Sequence, residues 1–192
     1  VAKAFKYGAH GISGTLHSPE RKILRELFND VIVMLEERAE VHQLPEDIDP
    51  LYALTGMRPE SMDLPEVSDP ALARLLPDAS DDAVVAAEHR RLTESDLITQ
   101  KIGALREAAF LMENDKIVLQ KPSAQRFAQA LNDVRLVLSE RLEIRNEDDA
   151  ARVAEVLDAA EVQTPDEYLA LVYNLVSWIQ DTLMSALMDA EL

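Results

Sequence analysis

Apolar residues recur along this chain in two rhythms, and the switch from one to the other marks its elements. Between residues 3 and 16, Phe5, Tyr7, Ile12 and Leu16 alternate with polar positions around Gly8, Gly11 and Gly14, the pattern of a short β-hairpin. The spacing then becomes helical. Ser18 before Pro19 predicts a capped helix start, and Ile23, Leu24, Leu27, Val31, Met34 and Leu35 supply one core face running to about Glu40. Residues 82 to 113 predict a long helical region with a break near Leu92-Thr93-Glu94, where Thr93 can cap a second helix with Asp96 in the reciprocal position. After a turn at Asn114-Asp115, residues 116 to 120 are β-rich. Their natural partner is the N-terminal hairpin, which predicts a small sheet of two or three strands.

The C-terminal half is helical in pattern. Pro122 and Ser123 open a helix carrying Phe127, Leu131, Val134, Leu138 and Leu142, and a shorter one over residues 147 to 160 carries Ala151, Val153, Val156 and Leu157. The last helix has the clearest start in the chain, with Thr164 as cap, Pro165 at the first position and Glu167 closing a capping box. Some 25 residues follow, about 37 Å at 1.5 Å per residue. Leu169, Val172, Val176, Ile179, Leu183 and Leu187 are joined on neighbouring faces by Tyr168, Leu171, Leu175, Trp178, Met184 and Met188. An apolar girdle so broad belongs to a central bundle helix or to one that meets another subunit, which makes Trp178, Met184 and Met188 candidate partner contacts.

Between these patterned stretches, residues 43 to 79 hold six of the nine prolines and read as an irregular, acid-rich segment with two short helices. Asp49-Pro50 caps a piece ending at Gly56, and Asp69-Pro70 caps another ending before Pro77. Leu51, Leu54, Leu72, Leu75 and Leu76 are the expected anchors to the core.

Composition narrows the functional classes. The balance of 47% hydrophobic and 29% charged residues with 5 glycines is that of a globular helical protein, and 192 residues suffice for one domain burying roughly 70% of its unfolded surface. Cysteine is absent, which excludes disulfides and thiolate metal sites and fits a reducing compartment. No apolar run approaches the ~20 residues of a membrane span, and the opening residues lack the apolar core of a signal peptide, so the expected location is the cytoplasm. The formal charge of -17 opposes binding to nucleic acid and anionic lipid. It is unevenly spread: from residue 45 to 82 ten acids face Arg58 and Arg74, whereas the first 25 residues set Lys3, Lys6, Arg21, Lys22 and Arg25 against Glu20.

Familiar catalytic signatures are missing. His10, His17, His42 and His89 lie in different segments without metal-ligand spacing, and there is no nucleophile elbow or glycine-rich phosphate loop. Asp81-Asp82 and Asp148-Asp149 are adjacent and diverge on a helix, which suits caps better than an acid-base pair. The expectation is therefore no catalytic residues, no metal and no cofactor. Within Glu88-His89-Arg90-Arg91, the main basic cluster beyond the N-terminus, Arg90 or Arg91 is expected to pair with acids of the 45 to 82 segment.

The candidate site rests instead on polar residues set among core positions. Asn132, Asp133 and Arg135 interrupt the 123 to 143 helix, and Asn174 and Gln180 interrupt the last. Buried polar groups need partners, so these residues form either a small-ligand pocket between helices or a structural network that fixes packing.

Four stretches carry a resemblance: Asp69-Pro-Ala-Leu-Ala-Arg-Leu-Leu-Pro-Asp78, His89-Arg-Arg-Leu-Thr-Glu94, Ala130-Leu-Asn-Asp-Val-Arg-Leu-Val-Leu-Ser-Glu-Arg-Leu-Glu-Ile144, and Tyr173-Asn174 with Ile179-Gln180. With the opening strand and helix they resemble, in order and over nearly the whole chain, an uncharacterised actinobacterial domain family of about this length. The resemblance implies encoding near the ClpS protease adaptor and a metal-dependent peptidase of cysteine synthesis, hence a role around regulated proteolysis. Some such members bear the label of transcriptional regulator, which suits this chain poorly: no helix-turn-helix with a basic second helix is apparent. This chain also departs from the family around Tyr173-Asn174, reading Leu175-Val176-Ser177-Trp178 where Trp or Leu is usual.

The sequence thus predicts a mainly α fold in a single domain over residues 1–192, a multi-helix bundle with a small antiparallel β element from the N-terminal hairpin and residues 116–120. Its expected function is non-enzymatic, as a protein-interaction or regulatory protein with protein partners and self-association as a homodimer through the last helix. The alternatives are a small-ligand-binding regulator and a DNA-binding regulator using Arg21, Lys22, Arg25 and Arg90.

Overall fold

The two rhythms become a three-stranded sheet and six helices in a computed structural model, which describes residues 2–43, 54, 64–156, 160 and 162–191. Strands β1 (Lys3–Gly8) and β2 (Gly11–Thr15) form the hairpin, and β3 (Lys116–Leu119) adds to β2, so the order is β1-β2-β3 with both pairings antiparallel. Gly8 faces Gly11 across the turn, while Ile12 faces Leu119 and Thr15 faces Lys116. Gly11 is required twice over. Its φ of 103° is a conformation that side-chain-bearing residues rarely adopt, and a Cβ there would lie 2.6 Å from the Leu119 carbonyl oxygen. Alternation buries Phe5, Ile12, Leu16, Ile117 and Leu119 on one face of the sheet.

Helix α1 (Ser18–Glu40) packs along α3 (Ala83–Leu111), α4 (Lys121–Arg141) packs along α6 (Pro165–Asp189), and α6 also lies against β1. The short α2 (Pro70–Leu75) sits on α4, and α5 (Glu147–Ala154) sits on α6. One apolar cluster joins the sheet to four long helices, with Phe127 at its centre, its ring centroid 5.9 Å from that of Phe5 and 6.2 Å from that of Phe28. A mainly α fold with a small antiparallel sheet is therefore what the chain adopts.

Several local expectations need correction. Ser18 is the first helical residue rather than the cap; His17 holds the cap position and its side chain makes no capping hydrogen bond. The break at Thr93 does not occur, because the Thr93 hydroxyl donates back to the His89 carbonyl, 2.9 Å away, and α3 runs through. That i to i−4 bond satisfies the hydroxyl without ending the helix. The cap for α3 is Asp82, which accepts from the amides of Val84 and Val85. Helix α4 opens at Lys121, slightly before Pro122, and α5 ends at Ala154, short of the predicted 160. In the irregular segment Asp69 caps α2 by accepting from the Ala71 amide, and Leu75 and Leu76 are buried with Leu72 beside them. Leu54 is no anchor, being 85% exposed; the rest of the piece expected over residues 49–56 lies outside the described residues.

The capping box of α6 forms as its residue types require: Thr164 accepts from the Glu167 amide, and Glu167 accepts from the amides of Gln163 and Thr164. Thr164→Ala removes half of it and lowers stability by about 1 kcal/mol, a fall in Tm of about 2–4 °C for a chain of this size by differential scanning calorimetry. An unchanged Tm would show that α6 is held by packing alone.

Candidate functional site

The polar residues picked out by sequence do not stay together. Arg135 is half-buried on α4 and is not among the residues lining the groove that the others share. Asn174 is occupied structurally, its side-chain amide donating to the carbonyls of Val153 (2.8 Å) and Val156 (2.9 Å), which fastens the end of α5 to α6. Trp178 projects from a different part of α6 and is 38% exposed. The remaining five, Asn132, Asp133, Gln180, Met184 and Met188, line one groove between α3, α4 and α6 with a volume of about 760 Å³.

Helix periodicity assembles that groove. On α4, Gln125, Gln129 and Asn132 recur at spacings of four and three, so they form one stripe, with Ala128 and Asp133 beside it. Helix α3 contributes Leu97, Gln100, Lys101 and Ala104, and α6 contributes Gln180, Met184, Leu187 and Met188. Glu191 stands at one end and is bound to Lys121 at 2.9 Å. The lining is thus a row of side-chain amides against a partly exposed methionine wall.

Two groups give the groove its electrostatics. Asp133 is buried and its Oδ1 lies 2.6 Å from the Lys101 ammonium. Burial pushes the Asp133 carboxyl above its ordinary range, against the opposing pull of Lys101. Gln180 is only 9% exposed, and its buried Oε1 has no hydrogen-bond partner among the described residues. A buried acceptor left unmet costs about 1–3 kcal/mol, and this one is sealed from solvent, so it is a packing cost of the fold.

A second polar cluster lies between α1 and α3. Glu94 is 5% exposed; its Oε1 accepts from Arg38 Nε at 2.6 Å and lies 2.8 Å from His42 Nε2, while Arg90 approaches its other oxygen at 3.6 Å. Burial pushes the Glu94 carboxyl up, and the hydrogen bonds from His42 and Arg38 outweigh it and hold the group below its ordinary value. Arg90 also donates to Asp78 at 2.6 Å, the pairing expected with an acid of the 45 to 82 segment. A third cluster fastens α2 to α4: Arg145 and Arg74 both donate to Glu140, and the Arg145 hydrogen bonds above all bring its carboxyl down to about 2. Of the basic residues considered for DNA, Arg90 is consumed in this way and Arg21 donates to the Met112 carbonyl.

Sequence reading missed Gln100, Lys101, Gln125, Gln129, Arg38 and Glu94. The amide stripe of α4 was visible as a spacing, and Arg38 continues the core phase of Val31 and Leu35 just as Glu94 precedes that of Ile98 and Leu105.

Fold and groove together define a helical domain with a small antiparallel sheet and an amide-lined cleft between three helices. The chain belongs to the family described as a domain of unknown function, DUF2017, whose model matches residues 2–187. No curated protein and no solved structure matches it. Among the described residues, no helix is long and apolar enough to cross a membrane.

Proposed function

We propose that the protein is a non-enzymatic interaction module that receives a short polypeptide segment in the groove between α3, α4 and α6. The observation carrying this reading is the cleft itself, lined by side-chain amides and by the partly exposed Met184 and Met188. Amides offer both donors and acceptors and so match a peptide backbone, and unbranched methionine adapts to varied apolar side chains. Protein partners fit better than nucleic acid, since the formal charge of -17 repels phosphate. The setting implied by the family resemblance, regulated proteolysis, is one in which holding or presenting a polypeptide segment is a useful act.

A peptide array probed with purified protein tests this. The double variant Met184→Glu/Met188→Glu alters partly exposed positions, 43% and 60% accessible, so folding is retained while the apolar wall is lost. Binding is expected to fall at least tenfold. Peptides that bind both proteins equally would place the contact elsewhere. A small-ligand regulator is the second reading, favoured by the meeting of Asn132 and Gln180 in one cleft; thermal stabilisation by a metabolite library, abolished by Asn132→Leu, is its expected signature.

A further inference from the structure

We infer that the open edge of β3 accepts an extended, acidic polypeptide segment as a fourth strand, with an Asp or Glu side chain set opposite Lys116. This surface is separate from the groove between α3, α4 and α6, and the inference does not rest on the reading of that groove.

The two edges of the sheet differ in character. Strand β1 is covered by α6, and the Phe5 amide donates to the Thr182 hydroxyl of that helix at 3.3 Å. Strand β3 has β2 on one side and, among the described residues, no strand on the other. The hydrogen-bonding phase fixes which of its main-chain groups look outward. The Leu16 amide donates to the Asp115 carbonyl at 2.9 Å, in step with the pairing of Gly14 with Ile117 and of Ile12 with Leu119. Those are therefore the hydrogen-bonded pairs, and the main-chain groups of the intervening Lys116 and Val118 point away from β2. The Asp115 carboxylate accepts from the Lys116 N–H at 2.8 Å. That leaves the Val118 N–H and the carbonyls of Lys116 and Val118 without a hydrogen-bond partner among the described residues, and the Val118 side chain is 47% exposed. One donor and two acceptors in extended phase are what an added strand pairs with.

Charge selects the occupant. The three strands hold three lysines and no acid, in a chain whose 36 acids outnumber its 19 Lys and Arg. The register puts all three on one face: Lys3, Thr15 and Lys116 form one cross-strand row, and Lys6, Ser13 and Val118 form the next. This is the side of the sheet opposite the buried Ile12, Ile117 and Leu119. The lysines are exposed and none makes an ion pair among the described residues. A residue of the added strand opposite Lys116 lengthens the first row, where a carboxylate is favoured and an ammonium repelled. A second copy of β3 would instead join two lysine faces with no acid between them, the means by which edge lysines block self-pairing. Nucleic acid fits poorly, because the patch is three strands wide, about 10 Å at a strand spacing of about 4.8 Å, and a longer polyanion meets the acidic remainder of the surface.

The test uses the full chain with fluorescent seven-residue peptides in which valine alternates with Glu, Lys or Thr, read by anisotropy at low salt. The Glu peptide is expected to bind about fivefold tighter than the Thr peptide, with the Lys peptide weaker still. Lys116→Glu, at an exposed side chain without an ion-pair partner, is expected to reverse that order, and Lys116→Gln to narrow it. Methylating the backbone nitrogens of the Glu peptide one at a time is expected to weaken binding about fivefold at alternate positions only, since an added strand turns every second N–H toward β3. Equal affinity of the three peptides, an unchanged order in Lys116→Glu, or methylation effects without alternation overturns the inference, as does failure of every peptide to bind. Binding of the Glu peptide that Asn132→Leu removes and Lys116→Glu leaves intact would overturn it by placing the peptide in the groove. A concentration-dependent dimer in sedimentation that the Glu peptide dissociates would make a second copy the occupant, and tighter binding of a single-stranded oligonucleotide than of the Glu peptide would make it phosphate; either result also overturns the inference.

Discussion

Glu94→Leu lowers the stability of the protein by about 3–5 kcal/mol, the largest effect expected of any charged position. Its carboxylate is shared by Arg38, His42 and Arg90 between α1 and α3. Removing it strands the Arg38 guanidinium, whose Nη2 already lacks a partner among the described residues, in a place where its charge has no water. Urea denaturation at pH 7 measures the loss. The same experiment as a function of pH carries a second expectation. The folded-state pKa of Glu94 is depressed from 4.5, so its contribution is present above about that value and disappears as pH falls through the folded pKa. The natural protein therefore loses stability on acidification below the ordinary carboxylate range more steeply than Glu94→Leu does. Parallel pH curves, or a loss below 1 kcal/mol at pH 7, would mean that the arginines find other partners.

Phe127→Ala is expected to cost about 3–5 kcal/mol and to lower Tm by about 10 °C. Phe127 is 1% exposed and lies edge-on or tilted to both Phe28 and Phe5, so it joins α4 to α1 and to the sheet. With Leu131, Leu105 and Ile179 fully buried in the same cluster, little slack exists for the core to close over the cavity. Calorimetry of this variant checks the packing account. A loss below 2 kcal/mol would show that the sheet and α1 can separate from α4 without disturbing the rest.

These two positions also mark what could be read from the chain beforehand. Phe127 belongs to a run of apolar residues at helical spacing, and such periodicity is dictated by burial against a neighbour, so it announces itself. The hairpin likewise follows from alternation and from glycines, one of which the backbone and the Leu119 carbonyl both demand. Thr164, Pro165 and Glu167 specify α6 because a capping box is satisfied entirely within four residues. Glu94 was not legible as a buried group, since its partners Arg38 and His42 stand more than fifty positions away and an exposed ion pair would have the same residue types. Thr93 misled for a related reason: its hydroxyl can serve the amide ahead of it or the carbonyl behind it, and only the packing of α3 along α1 decides. The groove was half visible. Asn132, Asp133 and Gln180 stood out as polar residues in core phase, but their union with Met184 and Met188 depends on how α4 and α6 rotate against α3. Asn174 obeys the same sequence logic and was drawn off to hold α5.

The claim that a polypeptide segment occupies the groove is tested most directly by nuclear magnetic resonance of the protein titrated with its best-binding peptide. Side-chain amide signals of Gln125, Gln129, Asn132 and Gln180 and the methyl signals of Met184 and Met188 should shift together and saturate at one equivalent. Shifts confined to other surfaces, such as the cleft bounded by Arg141, Arg152 and Asp166, with these six side chains unmoved, would contradict the account.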